Sequence, residues 1–203
     1  TDETRYLLTG VCFDLASGFI VATDGFRLHK AAVDTCKCPS FILLKRAAGL
    51  LAKYGADGIT FAQNKASATL VGGTFITRLI EGQYPDFHSV WPDISTYEKV
   101  HFKAKDFLEL IPGVLPVSNS FEIEMTINGR IDIKAESDSG TYNWHVEADS
   151  TLDGVPKVMS INSKFLVDAI KSYGDSEKID MSFPRDYGAI IVNEQALIMP
   201  IRH

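Results

Sequence analysis

One pattern constrains this chain more than any single motif does: a strand–helix–strand–strand–strand module that recurs along it. The module is complete at roughly 40–80, 99–147 and 158–202, and residues 5–33 supply only its last three strands. A repeat at this period is one supersecondary unit used several times, and such units bury their apolar faces against each other.

The elements follow from hydrophobic periodicity and turn chemistry. Residues 5–15, Phe19–Ala22 and Arg27–Val33 read as strands, with Ala16-Ser-Gly18 as a turn. Residues 44–54 have helical character, with Leu43, Ala47, Leu50, Leu51 and Tyr54 on one face and Gly55 as the stop. Strands are expected at 58–63, 67–71 and 74–80, with Asn64 and Gly72-Gly73 at the turns. In the next module the spacing predicts a strand at 99–102 and a helix from Lys105 to about Leu115, limited by Pro112 and Pro116. Strands follow at 121–127, 130–136 and 141–147, with Asn128-Gly129 as a hairpin turn. The last module opens with a strand at 158–161. Its helix runs over 163–173, with Asn162 at the N-cap and Phe165, Leu166, Ala169 and Ile170 as the apolar stripe. Strands at 178–183, 188–192 and 195–199 complete it.

Residues 81–92 lack periodicity and contain Gly82, Pro85 and Pro92, so they form an extended connector and the domain boundary. Two domains result, 1–92 and 93–203, the first lacking its opening strand and helix. The simplest packing sets the helices of each domain against antiparallel sheets, an α+β arrangement. The outward helix faces then carry Lys45, Arg46 and Lys53; Lys103 and Lys105 opposed by Asp106 and Glu109; and Lys164 and Lys171 beside Asp168. Solvated helix faces of mixed charge account for these counts equally well.

Composition narrows the function. The 203 residues are 45% hydrophobic with a net charge of −6, which suits a globular body and argues against a chain that coats nucleic acid over its whole surface. A local basic face on an acidic body remains compatible with that charge. No apolar run approaches the roughly 18 residues that span a membrane. The polar start, Thr1-Asp-Glu-Thr-Arg5, has no initiator Met and no signal-peptide core, so a cytoplasmic chain trimmed at its start is expected. Cys36-Lys-Cys38 is too tight for a zinc knuckle and no second Cys/His pair completes a tetrahedral site; Cys12 reads as a buried strand residue. No metal and no cofactor are expected. Neither a Gly-x-Ser-x-Gly elbow nor a P-loop is present. Asp132, Glu136 and Asp138 alternate along a strand and its turn, where a solvated face outweighs metal-dependent chemistry.

The stretch Ala22-Thr-Asp-Gly-Phe-Arg-Leu-His29 is a hairpin turn crowded with polar groups. Taken locally, it is a charged hairpin or, with Ser17, a candidate catalytic set, although no third group is evident to hold a base.

Four segments together resemble the bacterial DNA polymerase III β subunit family, the sliding clamps: Arg5-Tyr-Leu-Leu-Thr-Gly10, Val21-Ala-Thr-Asp-Gly-Phe-Arg-Leu28, Leu79-Ile-Glu-Gly-Gln-Tyr-Pro-Asp-Phe87 and Leu197-Ile-Met-Pro-Ile-Arg-His203. The likeness covers nearly the whole chain and corresponds to the second and third of the family's three domains. It implies a DNA clamp fold, a non-catalytic ring of six similar domains around duplex DNA, with helices lining the hole and sheets outside. It also implies tethering of the replicative polymerase and contact with a clamp loader through short linear peptides. The DNA-facing residues would be Lys45, Arg46, Lys53, Lys105, Lys164 and Lys171, acting through charge alone. The peptide pocket would be walled by Leu8, Thr23, Gly25, Arg27, Leu28, Pro85, Asn162, Phe165, Met199, Pro200, Ile201 and Arg202, with Leu28 facing the ligand and Thr23, Arg27 and Asn162 holding its backbone. Phe26, Ser89, Phe165 and His203 depart from the family's usual His, Arg, Tyr and Leu, which bears on the preferred peptide. Two-domain chains would close as trimers and three-domain chains as dimers, so the parent is either a phage-like two-domain clamp or a longer three-domain one. The alternative is a clamp-fold interaction module that never encircles DNA.

Overall fold

A computed structural model describes residues 6–56, 58–109, 121–152, 156–174 and 178–202. The chain divides between Val90 and Trp91, inside the 81–92 connector.

The first unit holds β1 (Gly10–Asp14), β2 (Phe19–Thr23), β3 (Arg27–Ala32), β4 (Phe41–Leu44), α1 (Lys45–Tyr54), β5 (Ile59–Ala62), β6 (Lys65–Leu70) and β7 (Gly73–Ile80). Its strands run antiparallel in the order β3-β2-β1-β4-β7-β6-β5. Phe41 on β4 anchors the core, stacked on Phe13 at 4.8 Å and tilted against Phe61 at 4.6 Å. Offset aromatic contacts of this kind add to the burial of their faces. Gly10 is required where β1 meets β4, since a Cβ there would stand 2.9 Å from the Leu43 carbonyl oxygen.

Two expectations for this unit change. Strand β1 begins at Gly10 rather than residue 5, because residues 6–8 form a helical turn that Thr9 closes: its amide and its hydroxyl both donate to the Tyr6 carbonyl, at 3.1 and 2.7 Å. Helix α1 buries Ala47 and Leu51, with Ala48 packed beside them, while Leu50 is 40% and Tyr54 54% exposed. Residues at i and i+4 share the core face, and Leu50 and Tyr54 fall to its flanks.

The second unit holds β8 (Glu98–Lys103), α2 (Ala104–Leu108), β9 (Glu122–Ile127), β10 (Arg130–Ser137), β11 (Gly140–Ser150), β12 (Lys157–Asn162), α3 (Ser163–Lys171), β13 (Lys178–Phe183), β14 (Ile190–Val192) and β15 (Ala196–Ile198). The antiparallel order is β12-β9-β10-β11-β8-β13-β14-β15. The opening strands bridge the two modules: β12 pairs with β9 of the earlier module, and β8 lies between β11 of its own module and β13 of the later one. The Ile201 amide donates to the Ser160 carbonyl at 2.8 Å, so the chain end returns to the free side of β12. Helices α2 and α3 pack on each other above a core that includes Val100, Phe102, Met125, Ile133, Leu166, Ile170, Met181 and Phe183. The far half of the helix expected up to Leu115 lies outside the described residues.

Strand β10 shows how the pattern sorts itself. Ile131, Ile133 and Ala135 are buried, while Arg130 pairs with Asp132 at 2.8 Å and Lys134 pairs with Glu136 on the outer face. Asp132 and Glu136 are therefore members of surface ion pairs. Among the described residues no group of three His, Cys, Asp or Glu side chains is placed to hold a metal ion, and no helix is long and apolar enough to cross a membrane.

Candidate functional site

In the second unit a groove of about 560 Å³ is lined in part by β12 and the chain end that pairs with it. It is lined by Pro200, Ile201 and Arg202 of the chain end, by Val158, Met159 and Ser160 of β12, by Phe183 at the end of β13, and by Pro184 and Tyr187 of the β13–β14 loop. The residues that set its shape are wired together. Tyr187 donates its hydroxyl to the Pro200 carbonyl at 2.6 Å, and the Arg202 guanidinium sits 4.6 Å from the centre of the Tyr187 ring. Lys157 donates its ammonium to the carbonyls of Arg185 and Asp186, both at 2.7 Å, which holds the loop down. Burial lowers the Lys157 pKa, with the Asp186 charge working the other way. Arg185 in turn pairs with Glu98 at 2.8 Å. The result is an apolar floor with a few fixed polar groups at its rim, the build of a site for a small apolar segment.

Three residues expected in the pocket, Pro200, Ile201 and Arg202, do line this groove. Asn162, Phe165 and Met199 are not part of its lining. Asn162 caps α3: its side-chain oxygen accepts the amides of Lys164 at 3.0 Å and Phe165 at 3.4 Å. Met199 is 36% exposed. Lys157, Met159, Phe183 and Tyr187 were missed by sequence reasoning. The only available signal was Pro184-Arg-Asp-Tyr-Gly188, a turn-rich segment whose partner on β12 is invisible without the strand order.

In the first unit the 23–28 turn is closed by its own side chains. Thr23 donates its hydroxyl to the Arg27 carbonyl at 2.6 Å and accepts the Gly25 amide at 3.1 Å. One Asp24 oxygen accepts the amides of Phe26 and Arg27, and the other takes Arg27 Nε at 3.0 Å. Burial works against ionisation of Asp24, but those amides and the Arg27 guanidinium together hold its carboxyl below the usual range. Gly25 has φ +89° and a Cβ there would lie 4.0 Å from Leu8, which places Leu8 beside the turn. Leu28 is only 3% exposed and is a packing residue here, rather than one presented at the surface. Pro85 is half-buried next to Tyr84, whose buried hydroxyl lies by the Thr23 backbone and makes no well-formed hydrogen bond among the described residues. Thus Leu8, Thr23, Gly25, Arg27, Leu28 and Pro85 gather around one turn. The catalytic option for this stretch finds no support, since the Asp24 carboxylate is occupied by the turn itself and Ser17 donates to Asp14 at 2.6 Å.

No family model matches the chain. It is 28% identical, over 228 aligned positions, to the β sliding clamp of Staphylococcus epidermidis, an alignment that covers 100% of this chain and 58% of that protein. The DNA polymerase sliding clamp from Pseudomonas aeruginosa superposes with a TM-score of 0.85 at 22% identity, over 100% of this chain and 60% of that one. The DNA polymerase III β subunit from Borrelia burgdorferi, solved in complex with a natural product, gives 0.83 at 25% identity over 99% and 58%. The chain has the sliding-clamp fold. It spans about 58% of the length of the curated relatives that it matches.

On this clamp fold the six basic residues assigned to DNA are all exposed. Lys45, Arg46 and Lys53 lie on α1, Lys105 on α2, Lys164 and Lys171 on α3. Some are partly engaged: Lys105 sits 3.9 Å from Glu109, Lys53 lies over the Tyr54 ring and Lys164 over the Phe121 ring.

Proposed function

We propose that this chain is the working part of a DNA sliding clamp: a non-catalytic processivity factor that encircles duplex DNA and holds a polymerase to it through a peptide groove. The observation that carries this is the match to sliding clamps along the entire chain, with the last residues, Pro200 to Arg202, walling an apolar groove. Helices α1, α2 and α3 turn lysines and an arginine outward on a chain that as a whole carries −6, and these helix faces make the contact with phosphate. Such contacts are sequence-independent and weak, and enclosure supplies the persistence. The units correspond to the second and third domains of a three-domain clamp, and the ring closes with further copies. The groove of the second unit takes short apolar peptides from the polymerase and the clamp loader.

The test is retention of the assembled full-length protein on circular duplex DNA, followed by cutting the circle. A clamp stays on the closed circle and slides off once a free end exists. Reversing Lys45, Arg46 and Lys53 to Glu reduces loading severalfold and makes its dependence on salt shallower, because fewer counterions are released. Equal retention on circular and linear DNA would establish the interaction module that does not encircle DNA.

A further inference from the structure

Residues 33–40, between β3 and β4, take no part in the sites above. Cys36 and Cys38 in this loop are joined as a disulfide, with their Cα atoms 5.4 Å apart. Cys36 and Lys37 are exposed and Cys38 is half-buried.

The bond encloses one intervening residue, so it staples no two elements. The entropic benefit of a cross-link grows with the logarithm of the loop it closes and is smallest at this spacing. The loop is already anchored without it. The Val33 amide donates to Gly18 at 2.9 Å, the Cys36 amide to Leu15 at 2.9 Å, and Ser40 donates its hydroxyl to Asp14 at 2.9 Å. A disulfide with little structural work, open to solvent and spanning a lysine, has the features of a chemical group. Cys12 is the contrast within the same unit: 3% exposed, its thiol pushed up to about 11 by burial and then by Asp14.

We propose that Cys36 and Cys38 form a redox-active pair that exchanges with low-molecular-weight thiols and disulfides of the glutathione class. In the reducing direction a small thiolate attacks one sulfur of the pair, the Cys36–Cys38 bond breaks, and the other cysteine leaves as a thiolate that takes up a proton. A second small thiolate then attacks the small-molecule sulfur of the mixed disulfide. Both cysteines end as thiols, and the two small thiols leave joined as one disulfide, a two-electron exchange. The reverse begins with one cysteine thiolate attacking a small disulfide and ends when its neighbour displaces the second thiol. The resolving sulfur is two positions away, so the mixed disulfide does not accumulate.

The experiment equilibrates the full chain in buffers of varied reduced-to-oxidised glutathione ratio, quenches with an alkylating agent and counts labels by mass. Wild-type protein is expected to pass from no label to two at Cys36 and Cys38 as the ratio rises, with no glutathione adduct. The Cys36→Ser and Cys38→Ser variants, changed in an exposed loop, each accumulate one bound glutathione under oxidising conditions. Cys12 stays unlabelled in the folded state throughout. A pair that does not change over the whole range, or wild-type protein that accumulates adducts as the variants do, overturns the proposal, and neither result depends on a variant folding.

Discussion

Asn162 offers a perturbation in which two roles can be separated. Its side-chain oxygen accepts the Lys164 and Phe165 amides at the start of α3, and it is also one of the residues proposed to hold peptide. The Asn162→Ala change leaves both amides without that acceptor. One of the two bonds is long, at 3.4 Å, so a loss near the middle of the usual range, about 1 kcal/mol, is expected. The Asn162→Asp change keeps the acceptor and adds a negative charge at a helix N-terminus, favourable by a few tenths to about 1 kcal/mol. Asn162 faces Glu122 across the β12–β9 pair, however, and like charges opposite each other offset part of that gain. Stability is thus expected to fall for alanine and to stay level or rise slightly for aspartate. Trp91 and Trp144, the two tryptophans of the chain, both lie in the second unit, so their fluorescence reports its urea unfolding. With slopes typical of a domain this size, the alanine variant's midpoint drops by roughly 0.5–1 M. Peptide affinity of the aspartate variant then isolates the amide nitrogen: wild-type affinity assigns Asn162 to the cap alone, and a clear loss assigns it to the ligand as well. If aspartate destabilises as much as alanine, the capping argument is wrong.

Two further outcomes test the first unit. Leu51→Ala is expected to cost about 2–4 kcal/mol, as for other buried leucines, whereas Leu50→Ala stays within about 0.5 kcal/mol, measured by chemical denaturation; equal effects would mean that α1 presents a different face. Asp24 has a folded-state pKa below its unfolded value, so the stability it contributes is fully present above the unfolded pKa, near 4, and is lost as pH falls through the folded pKa. The Asp24→Asn variant should therefore be less stable than wild type at neutral pH and converge on it in acid, and a constant difference at all pH values would refute the assignment.

The features legible in the sequence were those set by neighbours along the chain. The Asn162 cap, the Asn128-Gly129 turn and the β10 alternation each need only a few residues, and the module repeat is their sum. The short turn at 6–8 was hidden because Tyr6, Leu7 and Leu8 have strand-like composition, and Thr9 ends the turn through one carbonyl that no pattern announces. Leu50 was misplaced because a ten-residue helix with several apolar side chains allows two neighbouring faces, and the sheet beneath it decides. The groove was half legible. Pro200 to Arg202 came through the family resemblance, whereas Tyr187 meets Pro200 and Arg202, and Lys157 meets the 185–186 carbonyls, only through the three-dimensional fold. Their chemistry is ordinary, and their position depends on pairings across 13 and 28 positions or more.

The bridging of the two modules of the second unit by their opening strands has a kinetic consequence. β8 pairs with β11 of its own module on one side, but its other side waits for β13, and His101 meets Asp180 only after 79 positions have been made and brought back. Each long closure is unfavourable in chain entropy before any contact rewards it, so folding here is slow for its size and committed late. A nascent chain that ends before β13 exposes one side of β8 and the apolar surface that β13 covers. The repeat visible in the sequence is therefore a unit of architecture, and the cooperative unit that forms or melts is the pair.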